Sequence, residues 1–294
     1  MRADNLILVA VCVPAVAVAV VMAWRWRNLD AATARPNDAP TARWCVLDSL
    51  RALACVLAAG TASGLLVVGL GGRLVMRILG ATSRDPAQGL TTEAGERVGE
   101  ITMSGTVSFV LFAGLVAPLV AAMLFLLLRR WFPRPAWAAG LTLGVLLAGT
   151  LGVAEPLSPE NIDFAILAPT WLAVVLVAGT ALLFGVAFGA LAAKLDATVP
   201  PVFQPYESNS QHEAAGPYES VSIATRLPYL SLVVLLNPAL AASTIVGLGL
   251  RAVSRGRVGK VLDRPEALAI GRAVVAAATV ASAAALVNAA ATIL

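Results

Sequence analysis

The chain has 294 residues, of which 59% are hydrophobic and 13% charged, and its mean hydropathy is +0.84. In soluble globular proteins about a quarter of the residues are charged, so this composition excludes an ordinary water-soluble fold. The net charge of +4 arises from basic residues at the ends of hydrophobic runs, which indicates membrane anchoring and argues against nucleic-acid binding.

The first hydrophobic run covers residues 6–24 and is long enough to cross a bilayer, which takes about 20 apolar residues. Arg25 and Arg27 follow the run, whereas a secretory signal peptide has its positive charge in front. The loop 25–51 carries five arginines, which marks it as cytoplasmic by the positive-inside rule. The pattern predicts a retained helix with the N-terminus outside.

Four further membrane segments are predicted to begin near residues 52, 103, 135 and 164. The loop after residue 128 is rich in arginine and the loop after residue 153 is acidic, so one orientation satisfies the positive-inside rule throughout. Glycines spaced four apart permit close helix packing. Three of these segments carry such a pair: Gly60 and Gly64, Gly140 and Gly144, Gly185 and Gly189.

Residues 196–226 contain four prolines and are predicted to form a cytoplasmic linker within a single membrane domain over residues 1–294. The sixth hydrophobic run, 227–250, contains Asn237 and Pro238 and is followed by a strongly basic loop over 251–272. This run is either a re-entrant segment with both ends in the cytoplasm, or a kinked helix that spans the membrane against the positive-inside rule. Its length favours the membrane-spanning helix. A seventh segment begins near residue 273. The predicted fold is an all-α polytopic transmembrane helix bundle.

A polar stretch between the second and third segments holds the candidate ligand-binding residues. Two arginines one helical turn apart share a helix face, and a short helix in the loop would align three glutamates. The arginines then either bind an anionic group or pair with Glu96 and Glu100 in an outward-facing polar pocket, or they are snorkelling arginines beside a solvated loop. The candidate residues are Arg73, Arg77, Glu93, Glu96, Glu100, Thr102 and Thr106.

The loop after the sixth run has the densest group of basic residues in the chain. Clusters of lysine and arginine beside a membrane helix bind anionic lipid headgroups, although the same residues can serve only as topology determinants. The residues predicted to meet anionic headgroups are Arg251, Arg255, Arg257 and Lys260.

Residues 71–134 contain the stretches GGRLVMRIL, TEAGERVGEIT and RRWFP. Through these stretches the chain resembles a group of bacterial multi-pass membrane proteins that have no assigned activity. The resemblance implies a membrane location, and it supplies no ligand or catalytic residue to carry over.

Catalytic and metal-binding motifs are absent from the sequence. It has no HExxH, GxSxG, GxxxxGK or strand-linked GxGxxG pattern, and its three cysteines and one histidine lack metal-ligand spacing. We therefore predict a non-catalytic protein of the bacterial inner membrane, without cofactor, that binds or organises lipid, a protein partner or a second copy of itself. The alternative is a transporter or channel whose polar site is built from Arg73, Arg77 and the loop 93–100.

Overall fold

The computed structural model describes residues 42–83, 87–93, 95, 97–98, 102–111, 113–114, 117–198 and 264–294. Within these ranges the regular structure is helical, and the extended backbone is limited to one isolated bridge between Thr91 and Arg97. The predicted segments that begin at residues 6 and 227 lie outside the described ranges. So does the predicted lipid-binding group Arg251, Arg255, Arg257 and Lys260.

The described helices occur in the order expected for a bundle of antiparallel neighbours. Helix α1 continues through a π-helical segment into α2, and α5 likewise continues into a π-helical segment. The bounds are α1 Ala42–Ser63, π-helix Gly64–Gly71, α2 Gly72–Thr82, α3 Met103–Leu111, α4 Ala117–Leu128, α5 Ala136–Leu147, π-helix Ala148–Gly152, α6 Asp163–Ile166, α7 Thr170–Thr198 and α8 Pro265–Ile293.

Among these, three helices are long and apolar enough to cross a membrane: Arg51–Thr82, Thr170–Thr198 and Pro265–Ile293. The second of them has 29 residues. It would extend about 43 Å, more than the hydrocarbon core of about 30 Å. The apolar helix Ala136–Gly152 is shorter. For the described residues, a helical architecture with apolar helices of membrane-spanning length is therefore confirmed, while the count of seven segments stays a prediction.

Two predicted helix boundaries are wrong, and proline explains both. The fifth segment was placed as one helix from residue 164, but the short helix α6 over Asp163–Ile166 ends before Pro169, which lacks a backbone N–H, and α7 begins at Thr170. The last helix begins at Pro265 rather than near residue 273, since proline suits the first helical turn, where Glu266 also complements the helix dipole.

The end of α7 also differs from the predicted linker boundary. The linker was placed from residue 196, but α7 continues to Thr198, so Asp196 is helical. Residues 199–226 of the predicted linker lie outside the described ranges.

The closest helix packing joins α5 to α7 through two of the predicted glycine pairs. A Cβ atom on Gly140 would collide with the carbonyl oxygen of Gly185, and one on Gly185 would lie 2.7 Å from the Cα of Gly144. A Cβ on Gly189 would lie 2.8 Å from the Cα of Gly140. The two small-residue faces therefore pack against each other, and the backbones meet without intervening side chains.

The third glycine pair packs α1 and its π-helical continuation against α4. A Cβ on Gly60 would lie 3.1 Å from the carbonyl oxygen of Pro118, and one on Gly64 would collide with the Pro118 ring. Beside this contact, Phe125 of α4 and Phe188 of α7 pack edge to face at 5.1 Å between ring centroids. The core is thus built from small residues and stacked phenylalanines.

Candidate functional site

The two predicted arginines lie on α2, one turn apart, as the spacing indicated. The guanidinium of Arg73 stands over the Phe109 ring of α3 at 5.1 Å from the centroid, and its Nη1 donates to the Met76 sulfur at 3.7 Å. The neighbouring Gly72 leaves room for the same ring, since a Cβ there would approach it to 2.9 Å. Arg77 is exposed. Arg73 therefore packs against the neighbouring helix.

The loop that carries Glu93 is a bridged turn in its described part, and it contains no helix there. The backbone N–H of Val98 donates to Leu90 at 2.9 Å, and Gly95 adopts a φ of 76°, which an α-helix cannot contain. The described residues 93, 95, 97 and 98 are therefore not helical, and the predicted alignment of the three glutamates stays a prediction. Glu93 is exposed, and Glu96 and Glu100 lie outside the described residues.

The two threonines of the predicted site act at the start of α3. The hydroxyl of Thr102 accepts a hydrogen bond from the N–H of Gly105 at 3.1 Å, which caps the helix. The hydroxyl of Thr106 donates to the carbonyl of Thr102 at 2.9 Å. Both hydroxyls thus bond to the backbone at the start of α3, and a ligand-binding role for the two threonines stays a prediction.

Hydrogen bonds attach this loop to the segment that connects α5 and its π-helical continuation to α7. The N–H of Glu93 donates to the carboxylate of Asp163 at 3.0 Å, and the N–H of Ala168 donates to the hydroxyl of Ser83 at 3.1 Å. Gln88 donates to the carbonyl of Gly80 at 2.9 Å. Glu93 therefore lies next to Asp163 in the structure. Arg77 and Glu93, which are both described, do not form an ion pair with each other.

At the opposite end of the bundle, which we call the arginine end, α1, α4, α5, α7 and α8 surround a cavity of about 360 Å³. This volume falls in the range of small-molecule pockets. Its inner wall is largely apolar, with Val56, Phe125, Phe132, Ala139 and Ala192 among its residues. Charged side chains of the wall come from three elements: Arg129, Arg130 and Arg134 from the loop after α4, Asp196 from α7 and Arg272 from α8.

An ion pair borders this cavity and neutralises its one acidic residue. Arg51 of α1 donates from Nη1 to the carboxylate of Asp196 at 2.9 Å and from Nη2 to the carbonyl of Asp196 at 2.6 Å. The side chain of Arg51 is 12% exposed and that of Asp196 is 53% exposed. Because Asp196 is paired with Arg51, the charges of Arg129, Arg134 and Arg272 give the described wall an excess of positive charge next to its apolar residues.

The arginine end is also where α7 ends and α8 begins. Asp196 and Arg272 line the same cavity, and a Cβ on Gly271 would collide with the indole of Trp131 from the loop after α4. The described residues that flank 199–263 therefore lie at one end of the bundle.

The chain matches no known protein-family model, no curated protein and no solved structure. The resemblance carried by residues 71–134 thus stays a prediction, and the function has to be argued from the geometry of this chain alone.

The arginine-lined cavity was not predicted from the sequence. The sequence marks Arg129, Arg130 and Arg134 as a cytoplasmic cluster, but it does not show that Arg272 and the pair Arg51–Asp196 join them. The sequence could have indicated the cavity in one respect, because basic residues at the cytoplasmic ends of several helices are expected at the same end of a bundle. Among the described residues no three metal-ligating side chains come together, and Cys55 is a buried residue of the cavity wall.

Proposed function

We propose that the chain is a multi-pass integral protein of a bacterial inner membrane, with its arginine end in the cytoplasm and its N-terminus outside. Large apolar side chains point outward along the helices, such as Leu183 at 59% and Val280 at 69% exposure, where lipid would solvate them. Trp137 and Trp171 are 61% and 56% exposed and stand at opposite ends of the bundle, where the two membrane interfaces would lie.

The position of α8 supports one alternative for the sixth hydrophobic run. Thr198 and Arg264 flank residues 199–263 from the same end of the bundle. A single crossing between them would bring the chain to the opposite end. We therefore propose the re-entrant arrangement for 227–250, which keeps the basic loop 251–264 in the cytoplasm and removes the conflict with the positive-inside rule.

Within this membrane setting we propose a non-catalytic role in which the bundle binds or organises lipid or a partner protein. The glycine-to-glycine contact between α5 and α7 carries the proposal, because it leaves no space for a solute path along that interface. The buried polar side chains of the described bundle are three serines, Ser63, Ser83 and Ser282. A transporter needs ionisable or polar groups along its path, so this interior favours a binding protein.

Reconstitution into liposomes separates this role from the transporter alternative. We expect trapped potassium ions and a trapped anionic dye to leak no faster from liposomes with the protein than from protein-free liposomes. A protein-dependent flux that Arg73→Gln abolishes would overturn the binding role and establish the polar site of the transporter alternative. Arg97→Gln, which alters an exposed arginine at the same end, is the control.

Topology is tested by labelling single cysteines in a variant that lacks the three natural ones. A membrane-impermeant maleimide applied to whole cells should label Glu155→Cys and leave Arg134→Cys and Arg264→Cys unlabelled until the membrane is opened. Labelling of Arg134→Cys in intact cells would overturn the orientation.

A further inference from the structure

We propose that the arginine-lined cavity binds the phosphate group of an anionic phospholipid, with the headgroup on the arginines and the upper acyl chain against the apolar wall. This inference rests on the proposed membrane role and names the ligand. It starts from the cavity itself, an open pocket of about 360 Å³ that is lined by residues of α1, α4, α5, α7 and α8 and of the loop after α4. A pocket between helices at the cytoplasmic end of a bundle is accessible to lipids of the inner leaflet.

The charge of the wall selects an anion. Arg129, Arg134 and Arg272 form no ion pair with any residue that the structure describes, and Asp196 is neutralised by Arg51. Three guanidinium groups that face one space repel each other, and a phosphate between them removes that repulsion. Guanidinium groups also match phosphate oxygens in geometry, since each can donate two parallel hydrogen bonds.

The apolar part of the wall selects an amphiphile over a free anion. Val56, Phe125 and Phe132 line the same space as the arginines, and the last of these is only 5% exposed. A fully hydrated phosphate would leave this wall in contact with water. A phospholipid covers it with glycerol and acyl carbons while its phosphate stays at the arginines, so both halves of the cavity are matched by one molecule.

Two contacts hold the arginines in place around this space. The pair Arg51–Asp196 fixes the end of α7 against α1, and Gly271 admits the Trp131 indole, which sets α8 and therefore Arg272 against the loop after α4. The charged wall is thus assembled by tertiary packing and does not depend on the binding of a ligand to bring its three elements together.

The experiment measures lipid retained by the purified full-length chain in mild detergent, using native mass spectrometry after exchange into phosphatidylglycerol or into phosphatidylcholine. We expect one phosphatidylglycerol molecule to be retained per chain and phosphatidylcholine to be lost. The double variant Arg134→Gln/Arg272→Gln should weaken phosphatidylglycerol binding by at least about tenfold. Lys194→Gln/Arg264→Gln removes the same charge from two exposed residues near this end that do not line the cavity, and should change binding less than about twofold.

A steric pair of variants keeps every charge and protects the test against misfolding of the arginine variant. Ala193 lines the cavity and Ala190 lies outside its wall on the same helix, and both are exposed. We expect Ala193→Trp to displace the lipid and Ala190→Trp to retain it, with both proteins monodisperse. Equal retention by both tryptophan variants would overturn the assignment, as would equal retention by the two charge variants.

The source of the phosphate is decided by competition. An excess of inorganic phosphate should leave the bound phosphatidylglycerol in place, because it cannot cover the apolar wall. Displacement by inorganic phosphate would overturn the lipid assignment in favour of a soluble phosphate. The lipid assignment and the proposed role can be disproved separately. A flux in liposomes would disprove the role and would leave the lipid measurement unchanged.

Discussion

Arg51 and Asp196, which are 145 residues apart in the chain, are joined by two hydrogen bonds at the arginine end. Removing the arginine with Arg51→Ala breaks both bonds and should lower the free energy of unfolding by about 2 kcal/mol. Asp196→Asn keeps the backbone carbonyl as an acceptor and should cost less. Because Asp196 is half exposed, solvent screening should limit the pairwise coupling to about 1 kcal/mol.

The coupling is measured by a double-mutant cycle of unfolding free energies in mixed micelles. Glu155→Gln, an exposed carboxylate at the opposite end, serves as the matched control for Asp196→Asn. Strictly additive effects of Arg51→Ala and Asp196→Asn would contradict the structure at this contact.

The glycine contact between α5 and α7 predicts a sharp difference between two substitutions on one helix. A Cβ on Gly185 would overlap the backbone of Gly140, whereas nothing lies within 4 Å of a Cβ on Gly179. Gly185→Ala should therefore destabilise the bundle by about 1–3 kcal/mol or prevent its folding. Gly179→Ala should be neutral or slightly stabilising, because alanine is the better helix former. Thermal unfolding in detergent measures both, and similar melting temperatures would disprove the close packing.

The loop that carries Glu93 should loosen when its anchor is removed. Asp163→Ala deletes the acceptor of the Glu93 N–H, so the amide should exchange with solvent about tenfold faster, the factor expected for a lost hydrogen bond of about 1.4 kcal/mol. Hydrogen–deuterium exchange resolved to this segment measures the change. Glu160→Ala, which removes an exposed acid three residues before Asp163, should leave the exchange rate unchanged. An equal effect of both variants would rule out the anchor.

The contact between Arg73 and Phe109 predicts a measurable cation–π coupling. The arginine stands 5.1 Å from the ring centroid, and such pairs are worth about 0.5–1 kcal/mol where they are partly exposed. A double-mutant cycle of Arg73→Gln and Phe109→Leu should show this coupling in the free energy of unfolding. A second cycle of Arg73→Gln with Glu96→Gln tests the predicted ion pair, and additivity there would exclude it.

Helix identity was largely readable from the sequence because it depends on local composition. Long apolar runs bounded by arginine predicted the helices over Arg51–Thr82 and Thr170–Thr198, and both are present. The glycine pairs at Gly140 and Gly185 predicted close packing without naming the partner. The break at Pro169 was missed because the hydrophobic pattern continues across that proline. The start at Pro265 was missed because the charged residues Glu266 and Arg272 delay the apolar run, although they lie inside the helix.

The predicted site residues divide in the same way, into those with local backbone contacts and those that depend on the conformation of a loop. Thr102 and Thr106 lie at the start of α3, and their hydroxyls form hydrogen bonds with the backbone of the same helix start. The predicted glutamate face assumed a short helix in the loop, and Gly95 with its positive φ is not helical. Glu96 and Glu100 lie outside the described residues, so their pairing with the arginines stays a prediction.

By itself the sequence determined that the chain is helical and which of its stretches are apolar enough to cross a bilayer, because transfer free energy and helical hydrogen bonding are properties of contiguous residues. Only the tertiary structure decided which helices touch, and that Arg51, Asp196, the arginines after α4 and Arg272 surround one apolar cavity. Those residues are separated by most of the described chain. Their meeting follows from the shapes of packed helix faces, and no local pattern encodes it.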